Sequence, residues 1–162
     1  MNSGSAAISF RRDSGEGEGD MNTDLNLQII GKLLLASLLG GLVGLERELK
    51  HKPAGLRTNM FICIGSALFT LLSDEIGQRF GGDHLRIASQ LIPGIGFLGA
   101  GAIIREGGMV VGLTTAATIF VMASVGMAVG GGLYLTGVFV TLLILAVLTL
   151  IGWAEQRFED KE

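Results

Sequence analysis

Apolar and polar positions alternate in long blocks along this chain. Ionised side chains gather in short clusters, and residues 33–45, 58–73, 87–104 and 107–154 carry no charge at all. One helix needs about 20 apolar residues to cross a bilayer, so the last run holds two helices. Gly130-Gly131-Gly132 is the natural turn inside it. The pattern predicts five helices, at 25–45, 58–74, 87–104, 113–130 and 133–153. Tyr134 and Trp153 bracket the fifth. Nineteen residues separate them, about 28 Å of helix, which matches the spacing of the aromatic belts across a hydrocarbon core.

Composition sharpens this outline. The set AVILMFWYC makes up 49% of 162 residues, a further 26 are Gly, and the mean hydropathy is +0.55. A soluble domain of this size needs a far larger polar skin, which excludes a soluble enzyme. The fold class is an all-α membrane protein of about five transmembrane helices. The acidic balance, 15 Asp+Glu against 12 Lys+Arg, and the lack of a basic stripe argue against nucleic acid as a partner.

Residues 1–24 are polar and rich in Gly, Ser and acid, with no continuous apolar stretch of a secretory signal. Such a segment cannot bury enough surface to order itself, and the composition predicts a disordered tail. Met21 offers an alternative start. The transmembrane domain then covers 25–153, and 154–162 form a short charged C-terminal tail.

Orientation follows from Lys and Arg between the spans. Arg47, Lys50, Lys52, Arg57, Arg105, Arg157 and Lys161 fall on one side, and Arg11, Arg12, Arg79 and Arg86 on the other. The positive-inside rule places the 46–57 loop and the C-terminus in the cytoplasm and the N-terminus outside.

The first and third helices end alike, and the helices after them begin alike. Gly55-Leu56-Arg57-Thr58 corresponds to Gly112-Leu113-Thr114-Thr115, and Arg47-Glu48 to Arg105-Glu106. This predicts two repeated hairpins plus one helix, related about an axis along the membrane normal. The starts of helices two and four would then face a shared centre, each with a Thr suited to capping free N–H groups.

Pro93 to Gly101 contains a G-x-G-x-x-G string, but it lies inside an apolar span with no acid between Glu106 and Glu155. A dinucleotide site needs a preceding strand and a later acid, so that reading fails. Gly94, Gly96, Gly99 and Gly101 instead form a packing seam or a pathway wall, and Pro93 predicts a kinked or broken helix. Gly40-x-x-x-Gly44 and Gly126-x-x-x-Gly130 are small-residue packing spacings.

Lys32, Asn59, Gln90 and Thr118 are the polar side chains placed in or near the membrane. Lys32 either snorkels outward or pairs with Asp74 or Asp83, and Gln90 can bond across to another helix. Glu46, Arg47, Glu48, Arg57, Arg105 and Glu106 form a cluster at the cytoplasmic side. It reads as a salt-bridge lattice, as a docking surface for a protein partner, or as a site where Glu46 and Glu48 hold a hydrated Mg²⁺. Asp74 is a third weak metal candidate, in a loop with Glu75 and Asp83. His51 and His84 show no metal-ligand spacing, and Cys63 reads as a small buried hydrophobe. The chain carries no nucleophile–base constellation, so no catalytic residue is assigned and no cofactor beyond Mg²⁺ is considered.

Taken together, GLVGLERE, AGLRTNM, PGIGFLGAGAIIREGG and GLTTAATIF resemble the N-terminal membrane domain of the MgtC/SapB family. The resemblance covers about residues 30–135, with the four blocks in order. It implies a multi-pass bacterial inner-membrane protein linked to growth under magnesium limitation and, in pathogens, to survival inside host cells. It implies modulation of other membrane machines, such as the ATP synthase or cation ATPases, through a membrane-protein partner or a homo-oligomer. The family's motif residues map onto Glu46, Arg47, Glu48, Gly55, Leu56, Arg57, Thr58, Gln90, Gly94, Gly96, Gly99, Gly101, Arg105, Gly112, Thr114 and Thr115; Asn59 and Glu106 adjoin them. Longer members carry a soluble C-terminal domain, and this chain ends nine residues beyond Trp153. The alternative reading is a small oligomeric transporter or channel for an ion or small solute.

Overall fold

The computed structural model describes residues 16–159 except Gly82, Leu85 and Gly107, without the side chains of 16–24, 106, 151 and 153–159. Five helices account for nearly all of it: α1 Glu16–Leu49, α2 Leu56–Phe80, α3 Arg86–Gly101, α4 Leu113–Gly130 and α5 Tyr134–Glu159. A two-stranded antiparallel ribbon, β1 Ile104–Glu106 and β2 Met109–Val111, joins α3 to α4. The all-α membrane class therefore holds.

The helix boundaries differ from the pattern in instructive ways. α1 begins nine residues ahead of Leu25; residues 1–15 of the polar tail, and Arg11 and Arg12 with them, lie outside the described residues. α2 runs through Asp74 and Glu75 to Phe80, because an i,i+4 pair (Glu75–Arg79, 2.6 Å) and the Gln78–Asp74 bond (2.9 Å) let a charged turn stay helical. It ends at Gly81, in the left-handed region with its N–H on the Gly77 carbonyl. Leu25–Leu49, Leu56–Phe80 and Leu113–Gly130 are long and apolar enough to cross a membrane, and Tyr134–Leu150 is a shorter apolar helix.

α3 is the exception. Its 16 residues reach about 24 Å, short of a hydrocarbon core of about 30 Å. The predicted span to residue 104 is corrected: the helix stops at Gly101, and Ile104 enters the ribbon opposite Val111, where β-branched side chains fit. The helix also runs continuously through Pro93, with no local break. The return to α4 depends on Gly112 at φ +94°, whose Cβ position is blocked by the Ala102 carbonyl. Only glycine satisfies both demands.

α2 and α4 form the centre. α1 packs on α2 and α4, α3 on the same pair, and α5 on α4 and α1. The contact surfaces are backbone to backbone. A Cβ at Gly40 would lie 2.6 Å from the Asn59 carbonyl oxygen, and one at Gly44 2.6 Å from Leu56 Cα. A Cβ at Gly126 would strike the Cys63 carbonyl, and one at Gly130 would sit 2.6 Å from that of Ala67. Ala36, Leu39, Val43, Ile62, Cys63, Met122, Val125 and Val129 fill the space between.

The two hairpins recur as drawn, α1–α2 and α3–α4, each second helix starting directly after Gly-Leu's glycine. Their connections do not. The first is an irregular loop, in which His51 and Ala54 take φ +55°, and the second is the ribbon.

Two measurements check this architecture. Gly126→Ala, forcing α2 and α4 apart, should lower stability by about 1–3 kcal/mol in detergent thermal unfolding, whereas Gly94→Ala, with open space at its Cβ, should leave it near wild type. In a Cys63→Ser background, cysteines at Gly81 and Lys52 should label from opposite sides of the membrane; labelling from one side overturns the order of crossings.

Candidate functional site

The polar residues separate to the two ends of the bundle. At the end where α1 and α3 finish and α2 and α4 begin, the last turn of α1 makes the connections. Arg47 is 4% exposed, and its Nη2 donates to Thr115 Oγ1 in the first turn of α4 at 2.8 Å. Glu46 pairs with Lys50 at 2.7 Å, and Lys50 Nζ also donates to the Leu148 carbonyl of α5 at 2.9 Å. Gly152 leaves room for that ammonium, with its Cβ position 3.5 Å from Nζ. Glu48 Oε2 accepts the Leu56 N–H at 2.9 Å. It thereby caps α2 from the preceding helix.

This corrects the capping role expected of the threonines. Neither Gly55 nor Gly112 nor a following Thr caps its helix by a side chain. Thr58 and Thr114 are exposed, and Thr115 serves Arg47 instead. Asn59 is fully buried and turns its amide back onto the Ala54 and Gly55 carbonyls, closing the α1–α2 loop (3.0 Å to Gly55). Its Oδ1, Glu46 Oε2 and Arg47 Nε have no hydrogen-bond partner among the described residues. Buried polar atoms left so are costly, and they mark this junction as the most polar part of the interior. Arg57 and Arg105 sit at the same end, exposed, with no ion-pair partner among the described residues. The side chain of Glu106 lies outside the described residues.

The opposite end carries Lys32, Asp74, Glu75, Arg79, Asp83 and Arg86. Lys32 is held by a helix end. Its Nζ donates to the Gly130 carbonyl at the C-terminus of α4, 3.1 Å away, where the helix dipole favours a cation. Asp74 meets His84 at 3.0 Å. Ser73 accepts the N–H groups of Ile87 and Ala88 (3.2 and 3.3 Å) and donates to the His84 carbonyl, so a hydroxyl from α2 caps the start of α3. Nothing in the spacing of Ser73 announced that role.

The metal candidates do not converge. Glu46 and Glu48 are engaged by Lys50 and by the start of α2, Asp74 lies at the far end, and no three His, Cys, Asp or Glu among the described residues gather as a metal site. Gln90 is not with the cluster either. It is exposed, without a hydrogen-bond partner among the described residues, in the wall of an apolar groove of about 520 Å³ between α2 and α3. Gly94 lines the same groove, and Gly94, Gly96 and Gly101 have open space at their Cβ positions. Of the four seam glycines only Gly99 meets a neighbour, Ala116, at ordinary contact distance. The tight seam expected on α3 belongs instead to α1 and α4.

A family model described as MgtC family matches residues 33–157, the whole polar junction included. The chain belongs to the MgtC family. It is 42% identical over 143 residues to the "putative magnesium transporter YhiD" of Escherichia coli K12, covering 85% of this chain and 66% of that protein. It is 46% identical over 118 residues to the protein MgtC of Brucella abortus (72% and 48%) and 45% identical over 128 residues to that of Salmonella typhimurium (79% and 54%). This MgtC-family chain thus spans about half to two thirds of the length of these relatives. No solved structure matches it.

If Arg47 ties α1 to α4, Thr115→Val should lower stability by about 1–3 kcal/mol. In a double-mutant cycle with Arg47→Met, thermal unfolding should show coupling of about 0.5–3 kcal/mol; additive effects would mean the bond contributes nothing.

Proposed function

We propose that this chain is a non-catalytic regulatory membrane protein of the bacterial inner membrane, acting in magnesium-linked ion homeostasis through a membrane-protein partner. The observation that carries this reading is the uncharged, close-packed middle of the bundle. Between the Lys32 end and the Arg47 end, the space enclosed by α1, α2 and α4 is filled by Leu39, Val43, Ile62, Cys63, Met122 and Val125, with the neutral hydroxyls of Ser66 and Thr118 buried alongside. Ion pathways are lined by polar or charged groups. Here the charged groups hold helix ends: Arg47 on Thr115, Glu48 on Leu56, Lys32 on Gly130. The magnesium link is supported by family membership and by the name of the Escherichia coli relative. Adaptation to low Mg²⁺ or to a host environment fits the same assignment.

The second reading is an oligomeric transporter whose path runs between copies, past Gln90 on the outer face of α3. The exposure of Gln90, a polar side chain on an apolar surface, favours it. Purified protein in liposomes loaded with a Mg²⁺ indicator separates the two. The regulatory assignment expects no flux above empty vesicles, together with rescue of a low-Mg²⁺ growth defect by the expressed chain. Dose-dependent flux abolished by Gln90→Leu overturns it and establishes the transporter.

A further inference from the structure

The groove between α2 and α3 has a volume of about 520 Å³, and its geometry has a direction. On α2 it is lined by Phe61, Gly65 and Phe69, and on α3 by Gln90, Gly94 and Leu98. Gly65 and Gly94 keep it open, since neither has any atom within 4 Å of its Cβ position. Phe61, Gly65 and Phe69 fall at i, i+4 and i+8, one stripe of the helix. The residue one turn before Phe61 on that stripe is Arg57.

Arg57 stands in the first turn of α2. Arg105 follows the end of α3, in β1, so the helix on each side of the groove leads to an arginine at the same end. Both are exposed, and neither has an ion-pair partner among the described residues. Twelve residues separate Arg57 from Phe69, about 18 Å of helix. One leaflet's share of the hydrocarbon core is about 15 Å. The lined wall of α2, Phe61 to Phe69, takes about 12 Å of this, so the cleft is an apolar trough close to one leaflet in length, with the charges of Arg57 and Arg105 beyond its lined end.

We infer that this groove binds an anionic phospholipid, with one acyl chain lying between α2 and α3 and its phosphate facing Arg57 and Arg105. Charge complementarity selects the headgroup. Guanidinium groups meet phosphate oxygens by charge-assisted, bidentate hydrogen bonds, and basic residues at the edge of a transmembrane bundle attract anionic lipid. The length and apolar lining select a chain-bearing phosphate over a free one. This inference does not depend on whether the protein regulates or transports.

The test is native mass spectrometry of the full chain in detergent, titrated with phosphatidylglycerol and phosphatidylcholine of equal chain length. Wild type should retain phosphatidylglycerol preferentially. Arg57→Gln and Arg105→Gln should each cut that preference about fivefold, and the double variant should bind the two lipids alike. Gly94→Phe, which fills the groove where a side chain has room, should lose both lipids while keeping its helical circular dichroism. Gly65→Phe replaces it if the first variant does not fold, and the arginine variants leave the groove wall untouched. Equal retention of both lipids by wild type overturns the proposal. So does displacement of phosphatidylglycerol by inorganic phosphate in wild type with phosphate sensitivity kept in Gly94→Phe, which would mean a free-anion site. A wild-type oligomer that Gly94→Phe splits into monomers, with no lipid retained by either, overturns it too and assigns the groove to a second copy.

Discussion

Direct contact between helix backbones holds this bundle together. In lipid an apolar side chain gains nothing by turning inward, so helices associate through close packing and not through a hydrophobic drive. Close packing is available only where side chains step aside. Gly40 and Gly44 let α1 lie on the Leu56–Asn59 stretch of α2, and Gly126 and Gly130 let α4 lie on the carbonyls of Cys63 and Ala67. α2 is thus gripped on two faces, and the rest is hung from that grip. Ser73 starts α3 from its far end, and Glu48 caps its near end.

The second constraint is the cost of an unpaired polar group away from water. The chain meets it by placing ionised side chains at helix ends, where backbone groups lack partners. Lys32 supplies a cation to the C-terminus of α4, and Glu48 an anion to the N-terminus of α2, each in the sense the dipole favours. Arg47 joins α1 to α4, and Lys50 joins α1 to α5. The last turn of α1 is therefore the point through which movement of one hairpin reaches both α4 and α5.

The family assignment and this geometry meet at the same residues. The matched region, 33–157, takes in both hairpins and the junction between them. Two of the motif arginines, Arg57 and Arg105, remain outside every internal contact described. Both are exposed at the surface of the bundle.

What the residues alone determined was the number of helices, the pairing of hairpins and the sorting of charge to two ends, because these depend on local composition and on the thickness of the bilayer. The spacings Gly40-x-x-x-Gly44 and Gly126-x-x-x-Gly130 were legible as packing surfaces for the same reason. Four things were decided only in three dimensions. α3 stops short at Gly101; three of the four seam glycines on it face open space; Thr115 receives Arg47 instead of capping α4; and Lys32 bonds to a helix end. Each depends on which face of a helix meets which neighbour at what height, a relation between distant segments that no local pattern of residues encodes.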